Sequence, residues 1–326
     1  MKENRKWFLF GISILILLVA FSCIGGDASE REGEPTVASS TDSEEGVKGA
    51  VTPTITQVVP TSTSTPVPNS ARTSPRAVIE AYYDALMEGH FEEAAGYFTP
   101  FSLKWSGVER EEIALRWERL VFEEEWQLID YEVVDVSEGE DLAVARAWAK
   151  EGWIEGGEQQ QETYDNISIL ARQADGLWGI NYNQVLDVYV CDLPSQDHGG
   201  LKIRPLYLLR TWTDTFVGFE AENTTDRIAQ WGWAAPEVAT VTTVAEDGEK
   251  VYSFNDPGFQ VMAHRRYPSL YFQLGMPFEG KPVKLVMKEW LWLDESGVPS
   301  WDNEHWTYEF DLSTGCTRQT AADWSE

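Results

Sequence analysis

Between residues 74 and 124 apolar positions recur every three or four residues, and after Trp126 the spacing drops to two. Ser74-Pro75 reads as a helix start, with Ser as N-cap and Pro at the first helical position. Val78, Ile79, Tyr82, Ala85 and Leu86 follow at helical spacing, and Gly89 supplies a stop. Phe91, Ala94, Ala95 and Phe98 predict a second short helix that ends at Pro100. A third is predicted over 109–124, with Ile113, Trp117, Leu120 and Val121 on one face and Glu109, Glu111, Glu112 and Glu118 on the other. Then Ile129, Tyr131 and Val133 alternate with polar residues. Leu142, Val144, Arg146 and Trp148 alternate with Ala143, Ala145, Ala147 and Ala149, which suits a curved strand with one small-residue face. Ile167, Ile169 and Ala171 predict another strand, and Asp175-Gly176 a two-residue turn into Leu177–Tyr182. Three helices followed by an antiparallel meander make an α+β region over 74–190.

Asp197-His198-Gly199-Gly200 reads as a short hinge, and beyond it no stretch keeps a helical period. Val217, Phe219 and Ala221 alternate. A strand over 238–244 leads into Glu246-Asp247-Gly248-Glu249, a hairpin signal, and then into Val251–Phe254. The triplets Leu270, Phe272, Leu274 and Val283, Leu285, Met287 alternate, as do Trp306, Tyr308, Phe310 and Leu312. Short strands separated by turn signals predict an all-β sandwich over 195–320.

The chain opens differently. Lys2, Arg5 and Lys6 precede an apolar run from Trp7 to Phe21 that is shorter than the roughly 20 residues of a spanning helix. Val19-Ala20-Phe21-Ser22-Cys23 resembles the lipobox of bacterial lipoproteins, which implies removal of residues 1–22 and lipidation of Cys23. Two acyl chains on one residue hold a protein stably on a membrane, so the folded part is expected to be extracytoplasmic. Residues 24–73 contain 26 Ser, Thr, Pro or Gly among 50 and no aromatic residue, the composition of a disordered stalk.

Within 74–190, the segment Gly89-His90-Phe91-Glu92-Glu93-Ala94, the Phe98-Thr99-Pro100 stop and the hairpin Asp175-Gly176-Leu177-Trp178 resemble the NTF2-like superfamily, the SnoaL and ketosteroid-isomerase-like cone. That resemblance implies a conical pocket, in whose enzymes a carboxylate base faces a Tyr or Asp oxyanion donor. The acidic residues usual just after the second helix are replaced by Thr99-Pro100-Phe101. The candidate pocket residues are Tyr82, His90, Trp117 and Arg146, with Tyr83 and Asp84 as further polar neighbours. Tyr82 and Trp117 are equally core aromatics, His90 a solvated cap, and Arg146 either a partner for an internal Glu or an outward side chain. The later strands, with Glu222-Asn223-Thr224-Thr225 and a polar hairpin, resemble immunoglobulin-like sandwiches of the DUF4352 kind. Such modules adhere, recognise or space, and the resemblance supplies no catalytic residue.

Trp231-Gly232-Trp233 and Trp290-Leu291-Trp292 make a candidate aromatic binding surface, as in sugar-binding modules; the alternative is a core or inter-domain contact. With Cys23 assigned to lipid, Cys191 and Cys316 remain, and they are predicted to form a disulfide in an oxidising compartment. Four scattered His and no HExxH, GxSxG, P-loop or dinucleotide motif give no metal, no cofactor and no catalytic residue. Acidic runs such as Glu123-Glu124-Glu125 read as solvated helix faces.

The net charge of -29 on 326 residues argues against nucleic acid as a partner, because phosphate recognition needs a basic face. Along the chain, residues 1–22 carry +2, residues 24–73 carry -4 and residues 74–326 carry -27. The sequence therefore points to a membrane-anchored envelope lipoprotein, a non-enzymatic binding or presentation module for a small-molecule, glycan or protein ligand. A pocket enzyme working by general acid/base chemistry and a purely structural spacer are the alternatives. The pocket enzyme requires a carboxylate and a Tyr or His within hydrogen-bond reach inside the cone.

Overall fold

The computed structural model describes residues 67–232, 237–255, 259–294, 297–299 and 304–324. The signal segment, Cys23, nearly all of the stalk and Trp233 lie outside them. Among the described residues no helix is long and apolar enough to cross a membrane. The chain from Pro66 onward forms one compact unit.

Four helices open it: α1 (Pro75–Met87), α2 (Phe91–Gly96), α3 (Pro100–Ser106) and α4 (Arg110–Glu124). Ser74 caps α1 by accepting from the Ala77 amide, with Pro75 in the first turn. The sequence reading has three helices because it takes Thr99-Pro100 only as a stop. It is also a start: Thr99 Oγ1 accepts from the Ser102 amide at 3.2 Å, and Pro100 occupies the first turn of α3. Thr99 also donates to Asn181 Oδ1 at 2.7 Å, and Ser102 Oγ accepts from the Tyr182 amide at 2.9 Å, so a buried polar knot ties α3 to the chain after the first sheet. The folded part begins before residue 74. Val67 and Ala71 pack on the core, and Arg72 Nε donates to the Trp178 carbonyl at 3.0 Å.

The first sheet is an antiparallel meander, β1 (Gln127–Glu138), β2 (Leu142–Glu155), β3 (Glu158–Arg172) and β4 (Trp178–Ile180), in the order β1-β2-β3-β4. The β2–β3 hairpin runs in unbroken register from Leu142↔Ala171 to Glu155↔Glu158 and turns on Gly156 and Gly157, both at positive φ. Ala143, Ala145, Ala147 and Ala149 are buried beneath the helices, and their small size lets α1 lie close to the sheet. Arg146 projects from the opposite face.

Among the described residues, twelve further strands form two sheets. One contains β5 (Val185–Cys191), β6 (Gln196–His198), β7 (Leu201–Thr211), β8 (Thr215–Asn223), β13 (Arg266–Gln273) and β16 (Cys316–Gln319), in the order β13-β8-β7-β5-β16 with β6 against β7. The other contains β9 (Ala229–Trp231), β10 (Ala239–Ala245), β11 (Gly248–Phe254), β12 (Phe259–Val261), β14 (Lys281–Trp292) and β15 (His305–Asp311). Their facing residues share one core that includes Ile203, Val217, Phe219, Trp231, Leu285 and Trp290, which makes a β-sandwich. Residues 185–191 belong to it by hydrogen bonding, although their sequence position attaches them to the first region. Asp197–Gly200 is no hinge: it is the tight β6–β7 turn, closed by the Gly200 amide on Asp197 Oδ1 at 2.8 Å.

A second, smaller apolar layer joins the two parts. Phe101 of α3 and Ala171 of β3 pack with Val185, Val188, Leu209 and Ala321, flanked by Trp105, Tyr207, Phe216 and Trp324. Lys104 Nζ lies 4.0 Å from the Trp324 ring centre, a cation–π contact across the same seam. At the far end of β5, Cys191 and Cys316 are direct register partners on β5 and β16 and are bonded as a disulfide. The bridge closes a loop with a sequence separation of 125, so replacing both residues by Ser should cost about 4–5 kcal/mol in the chain-entropy description. Denaturant unfolding of Cys191→Ser/Cys316→Ser beside wild type measures it; an unchanged midpoint contradicts the assignment of that role.

Candidate functional site

Period-two arithmetic along β2 decides which chemistry faces the helices. The buried Ala row continues at 151, so Glu151 follows Ala149 onto the helix-covered face. Across the sheet Ala149 stands between Tyr131 of β1 and Tyr164 of β3, and Ala147 between Val133 and Asn166. Tyr131, Glu151 and Tyr164 therefore converge at the open end of the meander, and α1 adds Tyr82 and Tyr83 from above.

The contacts are specific. The Tyr164 hydroxyl donates to Glu151 Oε1, and the Trp126 indole donates to the same carboxylate. Asn166 Nδ2 donates to the Tyr83 hydroxyl at 3.0 Å, and the Tyr83 ring stacks on Tyr131 at 4.8 Å. Tyr131 in turn donates to Asp84 Oδ1 at 2.7 Å. Tyr82 meets Tyr83 edge-on at 5.1 Å, and its other side faces Trp117 at 6.2 Å and Phe98 at 5.7 Å. Glu151, Tyr82, Tyr164, Trp117 and Trp126 are all half-buried, and the four aromatics pack against the first core, so the cluster sits at the rim of that core.

Burial dominates the electrostatics. It pushes the Glu151 carboxyl above the usual carboxylate range, helped by nearby Glu162 and opposed by the hydrogen bonds from Tyr164 and Trp126. Burial likewise drives the Tyr82, Tyr83 and Tyr164 phenols upward, with the Glu151 charge adding to each. The phenols are thus held neutral, as hydrogen-bond donors, beside a carboxyl biased toward accepting a proton. Such a pair can transfer a proton to or from a bound molecule, or hold one in place.

Of the four pocket residues read from sequence, the structure brings together Tyr82 and Trp117. His90 stands before α2 with an exposed side chain, 3.2 Å from Glu88 and 3.8 Å from Glu93. Arg146 points outward and pairs with Asp165 at 2.9 Å, because an even-numbered position on β2 faces away from the Ala row. Trp148 shares that outer face and donates to Glu132 at 2.8 Å. On α4, Ile113 is buried and Trp117 half-buried, whereas Val121 is exposed and outside the packed stripe.

The aromatic surface of the sandwich is interior. Trp231 and Trp290 are buried and stacked at 5.4 Å with 9° between their planes, and Trp231 Nε1 donates to the Lys288 carbonyl at 2.8 Å. Trp292 is buried against Trp306 at 5.3 Å, with the Arg227 guanidinium over its ring. All three rings lie in the core shared with the facing sheet, so they form no platform for a sugar; Trp233 lies outside the described residues. A shallow surface depression between Asp247, Lys250 and Glu279 holds one lysine already paired with both acids. Among the described residues no group of three or more His, Cys, Asp or Glu is placed to hold a metal ion.

Two substitutions separate core from site. Trp290→Ala should cost about 3–5 kcal/mol by emptying a filled interior, measured by urea unfolding. A loss below 1 kcal/mol would contradict the interior placement. Glu151 works through pH. Its folded pKa lies above the unfolded value, so the stability it contributes is complete below the unfolded pKa and is lost as pH rises through the folded one. Glu151→Gln should therefore be more stable than wild type at pH 7, with the difference vanishing below about pH 4, where the carboxyl is protonated in both states. Thermal melts across that range show it, and a pH-independent difference contradicts it.

The sequence matches no protein-family model and no curated protein. Among solved structures the chain is similar to a ketosteroid isomerase-like protein from Erwinia carotovora atroseptica, at 21% identity and a TM-score of 0.28, covering 35% of this chain and 92% of that one. It is also similar to a protein of the NTF2-like family from Streptomyces avermitilis, at 20% identity and a TM-score of 0.27, covering 35% and 94%.

Proposed function

We propose that the chain is a membrane-anchored extracytoplasmic lipoprotein whose α+β part, an NTF2-like cone, binds a small molecule at the Glu151–Tyr164 mouth. The immunoglobulin-like sandwich is its rigid support. The observation that carries this reading is a half-buried carboxyl within hydrogen-bond reach of a phenol and an indole, ringed by further aromatics. Half-buried polar groups among aromatic rings suit small-molecule recognition, because apolar walls supply contact and a few polar atoms supply orientation. The buried tryptophans withdraw the competing site on the sandwich. The anchor rests on the charged head, short apolar run and Ser22-Cys23 pair of the N-terminus.

A second reading is a general acid/base enzyme at the same mouth. The Tyr164–Glu151 hydrogen bond favours it, since a raised carboxyl beside a neutral phenol matches the paired roles of base and donor.

Two measurements test the proposal. Cys23→Ser should move the protein from the membrane fraction to the soluble extracytoplasmic fraction; retention in the membrane defeats the anchor. In a thermal-shift screen of small molecules on the mature chain, compounds that stabilise wild type should lose their effect with Glu151→Gln/Tyr164→Phe. Hits indifferent to that pair place binding elsewhere. Turnover of a hit, abolished by Glu151→Gln with binding retained, selects the enzyme.

A further inference from the structure

We infer that the mouth of the cone takes an organic cation, an ammonium group bearing alkyl substituents, seated between the Glu151 carboxylate and the surrounding ring faces. The inference rests on the cone being the binding site and adds the class of its ligand.

The first support is an unbalanced charge. Two carboxylates of the sandwich are answered by cations: Asp187 meets Arg210 at 2.5 Å and Arg318 at 2.7 Å, and Glu220 meets Arg204 at 2.6 Å and Arg266 at 2.5 Å. Buried Asp214 is held instead by three neutral donors, the Thr215 and Gly275 amides and the Gln273 side chain. Glu151 receives only the neutral Tyr164 hydroxyl and Trp126 indole, and its nearby charge is another acid, Glu162. Arg116, on the helix that carries Trp117, is bonded to Glu112. A bound cation would complete this site as Arg318 completes that of Asp187.

The second support is the wall. Tyr164 and Trp126 bond the carboxylate, Tyr82 and Tyr83 lie near enough to feel its charge, and Trp117 stands beside Tyr82 at 6.2 Å. Ring faces carry negative quadrupole charge and attract alkylammonium groups, whose methyls also gain apolar contact. An anionic ligand would meet Glu151 and Glu162 at close range. A neutral apolar one would leave the carboxylate's charge unanswered in a partly dry site. The net charge of -29 also raises the local concentration of cations.

The test is calorimetric titration of the mature chain, at constant ionic strength, with choline, benzyltrimethylammonium and the uncharged choline isostere 3,3-dimethylbutan-1-ol. Wild type should bind choline at least about tenfold more tightly than the isostere. Glu151→Gln should erase that preference, whereas Arg146→Gln, on the outer face of the same strand, should retain it. Far-UV circular dichroism confirms that each variant is folded. Equal binding of cation and isostere overturns the ligand class while leaving the mouth a binding site. No binding of either, together with screen hits that bind independently of Glu151, overturns the cation and the site beneath it.

Discussion

One strand belongs to two cores, and the rest of the molecule hangs on it. β5 begins directly after the polar knot of Thr99, Ser102 and Asn181, and its Val185 and Val188 complete the apolar layer against α3. Its Tyr189 and Cys191 enter the sandwich core. Between them Asp187, fully buried, joins Arg210 on β7 to Arg318 on β16, while Arg210 also donates to the Phe278 carbonyl at 3.1 Å. A buried ion group of this kind adds little net stability over apolar packing, but removing one member strands the others without partners. It acts mainly to specify register. The disulfide repeats that instruction covalently by holding β16 beside β5. The C-terminal segment can then carry Ala321 and Trp324 back to α3.

Much of this order was readable in the sequence because strong local signals coincide with long-range need. The Ser74-Pro75 cap, the Ala row of β2, the Asp175-Gly176 turn and the alternation over Trp306–Leu312 each report a burial pattern that the tertiary structure keeps. Reading failed where one residue serves two elements. Thr99-Pro100 ends one helix and begins another, and a stop is the more familiar meaning of Pro. Residues 185–191 sit next to the first sheet in sequence but hydrogen-bond with β7 and β16, which come later in the chain. Nothing local distinguishes those pairings from a continued meander. The tryptophans left a binding surface and a core contact both open for a different reason: a Trp-x-Trp pattern specifies a sheet face, and only the facing sheet, which here buries them, determines whether that face is wet.

The candidate site shows the same division. Tyr82 and Trp117 were identified by helical spacing, and the structure sets them side by side. Arg146 was a candidate and Glu151 was not, although strict alternation from Ala143 through Ala149 sends Arg146 outward and brings Glu151 inward. The signal was present. It was obscured because the Ala row stops at 149, and Lys150-Glu151-Gly152 resembles the polar end of a strand that in fact continues to Glu155. Tyr164 and Asn166 had no such signal. Their inward direction follows only from the β2–β3 register, which is fixed by the Gly156-Gly157 turn.

The distribution of charge connects the site to the rest of the chain. Most acidic side chains in the α+β part are solvated or matched, as Asp165 is by Arg146 and Glu112 by Arg116, and these exposed pairs contribute little to stability. Glu151 is half-buried and bonded by the neutral Tyr164 hydroxyl and Trp126 indole, with no cation against it among the described residues, and burial moves its proton affinity in the destabilising direction at neutral pH. A fold that simply packed its interior could place Leu or Gln there without that cost. In the proposed reading, a carboxyl at the rim of an aromatic cluster serves what binds there, and that binding offsets its cost. The rigidity of the β5 junction matters for the same reason. Tyr82 and Tyr83 come from a helix, Tyr164 and Glu151 from a sheet, and their spacing is set by elements whose far ends are tied into the sandwich through Phe101, Ala171 and Val185. A site assembled from separate elements recognises a ligand only if those elements cannot drift apart, and here the second core provides that restraint.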